Sequence, residues 1–134
     1  MSKRPIGAVT FDLWDCLFHD DSDEAKRAAA GRPTKAQERR QLVHDALAKE
    51  APIDRTLVDR VYDAVDLAFR KCWHDQHVTW TVRERIEIIL GGLGRTLPES
   101  ALAEVVERHE TMELEFRPNP APGALEALRG HVDG

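Results

Sequence analysis

Asp12, Asp15 and Cys16 are the first residues at which chemistry is to be sought, because they stand where the apolar run Ile6–Trp14 (IGAVTFDLW) gives way to polar sequence. The run is rich in Val, Phe, Ile and Trp and too short for a typical helix, so it reads as a buried strand of parallel type. Such a strand delivers Asp12 to its C-terminal end. In doubly wound folds that end opens onto the crevice where ligands bind, and a carboxylate placed there can attack an electrophile or share a cation with a phosphate. A second cluster, Cys72-Trp73-His74-Asp75-Gln76-His77, brings a thiol and two imidazoles together, residue types that bind zinc or copper. A structural zinc site takes four protein ligands and no second cluster has matching spacing, so a helix end with an aromatic plug is expected there. His109 falls on the apolar face of a helix and reads as a hydrogen-bonded core histidine. Gly91 to Gly94 follow a helix and do not join a strand to one, which excludes a phosphate-binding loop.

The elements that must position these groups are mostly helical. Asp20, Asp21, Asp23 and Glu24 read as a solvated helix start, and the basic run from Lys26 through Arg40 as a solvated face. Thr34 with Gln37 forms a capping box ahead of the stripe Leu42, Val43, Ala46 and Leu47, which ends near Ala51-Pro52. Asp54 caps a long helix carrying Leu57, Val58, Val61, Val65, Ala68, Phe69 and Cys72 at helical spacing. Thr81 with Glu84 opens a third, closed by Gly92 or Gly94, and Pro98 stands near the start of a fourth with Leu102, Val105, Val106, His109, Met112 and Phe116 inside. These four amphipathic helices predict a small bundle. Arg117–Gly123 holds three prolines and reads as a linker, after which Ala124, Leu125, Leu128 and Val132 begin one more helix.

Composition narrows the classes of function. The 134 residues suit one domain, with 42% hydrophobic and 32% charged residues, as in a water-soluble globular protein. Nineteen Lys and Arg against 24 Asp and Glu give a net charge of -5, which supplies no global field for a nucleic acid. The apolar stretch Ile6–Phe18 is interrupted by Asp12 and Asp15 and has no small-residue cleavage site, so neither a signal peptide nor a membrane span is expected and the cytoplasm is the expected compartment. Cys16 and Cys72 make no disulfide framework, and reduced thiols are expected.

The segment Val9-Thr10-Phe11-Asp12-Leu13-Trp14-Asp15-Cys16-Leu17-Phe18 resembles the first motif of the haloacid dehalogenase superfamily of hydrolases, an apolar strand followed by Asp and a short Thr-Leu signature. A helical insert then looks like that superfamily's C1 cap, and Pro120-Ala121-Pro122-Gly123-Ala124-Leu125-Glu126-Ala127-Leu128 looks like its re-entry into the core. The resemblance implies an α/β fold with a Rossmann-like core, of which only the first strand and the start of the returning helix lie in this chain, and an inserted all-α cap. The chain itself would then be mostly α. The implied divisions are residues 1–17 for the first strand and motif, 18–117 for the cap, and 118–134 for the return. By the same resemblance Asp12 is the nucleophile, forming an aspartyl ester with a small phosphorylated or halogenated metabolite. In the phosphatases Mg2+ would be held by Asp12 and the backbone carbonyl of Trp14, whereas the dehalogenases use no cofactor.

Two positions depart from the pattern. Phosphatases of the superfamily carry a second Asp as general acid where this chain has Trp14, while dehalogenases carry an aromatic residue there. Strand alternation puts Asp15 on the opposite side from Asp12, so it could substitute only if the backbone turns sharply. Cys16 replaces the usual Thr. The second-motif Ser or Thr, the third-motif Lys or Arg and the fourth-motif acidic pair are not found here and are expected after residue 134, so the isolated chain is expected to be inactive. The competing reading is a non-catalytic helical binding or adaptor module derived from such a cap. In either case an unpaired first strand exposes apolar surface, and self-association is expected.

Overall fold

A computed structural model describes residues 7–132. Its regular structure there is six helices: α1 (Ser22–Ala29), α2 (Lys35–Glu50), α3 (Arg55–Gln76), α4 (Val82–Gly92), α5 (Glu99–Glu115) and α6 (Ala124–Val132). The chain divides into two compact units, Pro33–Glu115 on one side and Met1–Arg32 with Phe116–Gly134 on the other. Helix α1 thus goes with the terminal segments, whereas the cap expected from sequence ran over 18–117.

Unit Pro33–Glu115 holds α2 to α5, in which α2 packs on α3 and α5, and α4 on α3 and α5. Its core is Val43 and Leu47 of α2, Val58, Tyr62 and Val65 of α3, Ile86, Ile89 and Leu90 of α4, and Leu102 and Val105 of α5. These are the positions that recur every third or fourth residue, so burying one stripe per helix removes them from water together. Local chemistry fixes the ends. Thr34 Oγ1 accepts from Gln37 N at 3.2 Å while the Gln37 side chain accepts from Thr34 N at 3.1 Å. Thr81 and Glu84 repeat this reciprocal pairing at α4, and Asp54 Oδ1 accepts from Thr56 N at 2.9 Å to start α3. Of the two glycines expected to end α4, Gly94 does so: it lies at φ 61°, donates to Gly91 O at 3.1 Å, and is followed by an Arg95 N bond to Leu90 O at 3.0 Å. That pair of bonds satisfies carbonyls the helix would leave open.

In the other unit the expected strand does not form. Ile6 lies outside the described residues, and Gly7–Leu13 run without regular structure, exposed throughout. A strand is stabilised by the backbone groups of its neighbours, and no partner strand occurs among the described residues. What forms instead is a short ladder, in which Phe18 stands opposite Pro120 in antiparallel pairing. His19 N donates to Asn119 O at 2.9 Å and Ala121 N to Leu17 O at 2.8 Å. Pro120 occupies the position of that ladder that donates nothing, so its missing N–H costs no bond.

The expectation of a solvated charged face on α1 and the start of α2 is also corrected, since Asp23, Arg27 and Lys35 are buried. Arg27 stacks over the Phe116 ring at 5.6 Å, and Lys35 Nζ pairs with Glu113 Oε2 at 2.9 Å. Both cations have partners that a helical charge pattern does not reveal.

Candidate functional site

The chain after Asp12 closes into a tight turn. Leu13 O accepts from both Leu17 N and Phe18 N at 3.0 Å, and Asp15 N donates to Phe18 O at 2.7 Å. Asp15 sits at φ 53°, the left-handed conformation that Asp adopts more readily than most residues. The sharp turn that an auxiliary role for Asp15 required is therefore present. It engages Asp15, however, because Asp15 Oδ1 accepts from Asp20 N at 3.1 Å and stabilises the turn itself.

Asp12 is exposed, and its Oδ1 accepts from the backbone N of Leu13 at 2.8 Å. Trp14 is exposed as well, and its carbonyl accepts no hydrogen bond from another described residue. Cys16 is an exposed free thiol. Asp12 and the Trp14 carbonyl are hard oxygen donors of the kind Mg2+ takes. They amount to two positions of an octahedron, and no group of three or more metal-ligating side chains occurs among the described residues. Two donors do not by themselves hold the ion.

The turn is braced by α1 and the returning chain. Ser22 Oγ donates to His19 O at 2.7 Å and accepts from Asn119 N at 2.7 Å, and Lys26 Nζ donates to Arg117 O. Residues on both sides of the long helical insert are thereby tied together within this unit. The role of Ser22 as a two-way bridge is one that sequence reasoning missed, and its only sequence signal is a Ser at the start of an acidic helix.

In the helical unit, Trp73, His74 and His77 line a concavity of about 270 Å³. His77 is not on the helix but ends it at φ 55°, so the helix end expected in this cluster falls there. The aromatic residue that packs beyond this helix end is Trp80, whose ring centroid lies 5.6 Å from that of Phe69, while Trp73 is exposed. His109 lies in the core as expected but is not hydrogen-bonded at Nδ1, which finds no partner there. Burial, reinforced by Arg39 and Arg85 and opposed by Glu113, pushes its pKa down to about 3.

No protein family model, curated protein or solved structure matches this chain at a significant level. No helix among the described residues is long and apolar enough to cross a membrane.

Proposed function

We propose that this chain carries the nucleophile-bearing start and the helical cap of a hydrolase of the haloacid dehalogenase type, acting on a small phosphorylated or halogenated metabolite through an aspartyl-enzyme intermediate. The observation behind this reading is the pairing of Leu17–His19 with Asn119–Ala121. It brings together, within the terminal unit, the two stretches that resemble the superfamily and that a long helical insert separates in sequence, as an insertion between motif and re-entry requires.

In this reading an Asp12 oxygen bonds to phosphorus while the bond from phosphorus to the leaving oxygen breaks, its electron pair going to that oxygen. Water then cleaves the acyl phosphate and restores the carboxylate. With a halogenated substrate the same oxygen bonds to carbon and halide departs with its electron pair, needing no proton. Trp14 supports the second branch, because no carboxylic acid stands there to protonate an alkoxide. Mg2+ in the first branch would neutralise phosphate charge, with Asp12 and the Trp14 carbonyl as this chain's share of its ligands. The hydroxyl, cation and acidic pair that complete such sites are, in this reading, contributed by further polypeptide.

The test uses the native polypeptide containing this sequence, assayed for phosphate release from small phosphomonoesters and halide release from short haloacids. Asp12→Asn is expected to lower turnover by at least roughly a thousand-fold, as loss of a nucleophile does. Turnover in 18O-water separates the branches: an alkyl ester cleaved at its acyl carbon leaves label in Asp12, and an acyl phosphate cleaved at phosphorus leaves it in phosphate. Undiminished turnover in Asp12→Asn would refute the assignment. Absence of turnover in the native polypeptide would leave the adaptor reading, which the closure of Asp12 Oδ1 on Leu13 N as an ordinary turn carboxylate favours.

A further inference from the structure

The turn that follows Asp12 fixes the direction of one peptide group. Asp15 N donates to Phe18 O at 2.7 Å. A trans peptide is planar, with its C=O opposed to its N–H, so the Trp14 carbonyl of that same unit points out of the turn. The residue between Asp12 and Trp14 is held at both of its ends: Leu13 N donates to Asp12 Oδ1 at 2.8 Å, and Leu13 O accepts from Leu17 N and Phe18 N at 3.0 Å.

Asp15 is the residue on which this arrangement turns. At φ 53° it occupies the left-handed region, which Gly, Asn and Asp enter readily and other residues do not. Its side chain adds a bond across the turn, Oδ1 accepting from Asp20 N at 3.1 Å. The far side of the turn is anchored in its own right. His19 N donates to Asn119 O at 2.9 Å, and Ser22 Oγ donates to His19 O and accepts from Asn119 N, both at 2.7 Å. Through Phe18 and Asp20, Asp15 therefore ties the Asp12 turn to a frame that includes the returning chain.

We propose that Asp15 is the positioning residue of the hydrolase site, holding the turn that sets Asp12 and aiming the Trp14 carbonyl outward, an assignment that rests on Asp12 being the nucleophile. It does not serve as the general acid absent at position 14. The turn asks two things of the residue, an acceptor oxygen on the side chain and tolerance of the left-handed backbone, and neither involves a transferable proton. A carboxamide meets both requirements and a methyl group meets neither.

The test compares Asp15→Asn and Asp15→Ala with wild type in the native polypeptide containing this sequence. Asp15→Ala is expected to lower kcat roughly tenfold or more while KM moves by less than about threefold, and Asp15→Asn to recover kcat to within about threefold of wild type. Asp15→Asn should also keep the shape of the wild-type pH–rate profile, which loss of a general acid would change. A second readout needs no turnover: amide exchange at Leu17 and Phe18, followed by NMR, should quicken in Asp15→Ala and much less in Asp15→Asn. In the unsubstituted protein the Asp20 amide signal should follow the titration of the Asp15 carboxylate, so that one result does not depend on either variant folding. Asp15→Asn as impaired as Asp15→Ala, with an altered pH profile, overturns the proposal in favour of an acid. Turnover with amides that ignore the substitution, or an Asp20 signal that ignores the carboxylate, overturns it while leaving Asp12 as nucleophile. Absence of turnover in the wild-type native polypeptide refutes the nucleophile itself and with it any site to position.

Discussion

His109 makes the stability of the helical unit depend on pH in a direction that can be stated. Its folded pKa of about 3 lies below its ordinary 6.5, so at acid pH the unfolded chain takes up a proton that the folded chain refuses. Its contribution is therefore complete above 6.5 and is lost as pH falls, by about 1.4 kcal/mol for each pH unit. Glu113 acts in a lower window: burial pushes its carboxyl up, but bonds from Lys35 and Arg39 outweigh this and hold it below 4.5, so its contribution fades only beneath that value. Between pH 6.5 and 4.5 the loss belongs to the imidazole. Denaturant unfolding across that range should show wild type losing roughly 2–3 kcal/mol more than His109→Leu. Equal slopes would mean that the imidazole is hydrated in the folded state.

The helix ends were legible because their signals are local. Thr34-Gln37, Thr81-Glu84 and Asp54 satisfy their own first turns, and Gly94 supplies the left-handed residue that a side chain would strain. Thr34→Ala should accordingly cost about 1 kcal/mol, and Gly94→Ala about 1–2 kcal/mol, both measured by chemical denaturation; a neutral Gly94→Ala would contradict the cap. Leu47, fully buried in α2, should cost roughly 2–5 kcal/mol when truncated to Ala. The strand over Ile6–Trp14 was misread for a complementary reason. Apolar patterning reports what a segment can cover, whereas strand pairing needs backbone partners that a single segment cannot supply. The buried faces of Arg27 and Lys35 were hidden likewise, because the Phe116 ring and the Glu113 carboxylate that cover them are remote in sequence. Of the candidate site, the tight turn after Asp12 follows from neighbouring residues, while the Ser22 bridge to Asn119 is a long-range contact with no periodic signature.

At the scale of the whole molecule, Val9, Phe11, Leu13 and Trp14 are all exposed within six residues of chain, apolar surface of the kind that recruits another chain. Self-association of the purified chain is the expected consequence, and light scattering at rising concentration should detect it. Phe11→Lys with Leu13→Lys should restore the monomer mass, and a wild-type chain that stays monomeric at millimolar concentration would contradict the expectation. The same stretch contains Asp12, on which the functional account depends. The most direct test is to mix the native polypeptide containing this sequence with turning-over substrate, quench it in acid, and map its peptides by mass spectrometry. The account predicts a phosphoryl or alkyl adduct on Asp12 that disappears when substrate is exhausted. An active protein whose quenched Asp12 is never modified, or whose adduct lies on another residue, would contradict it.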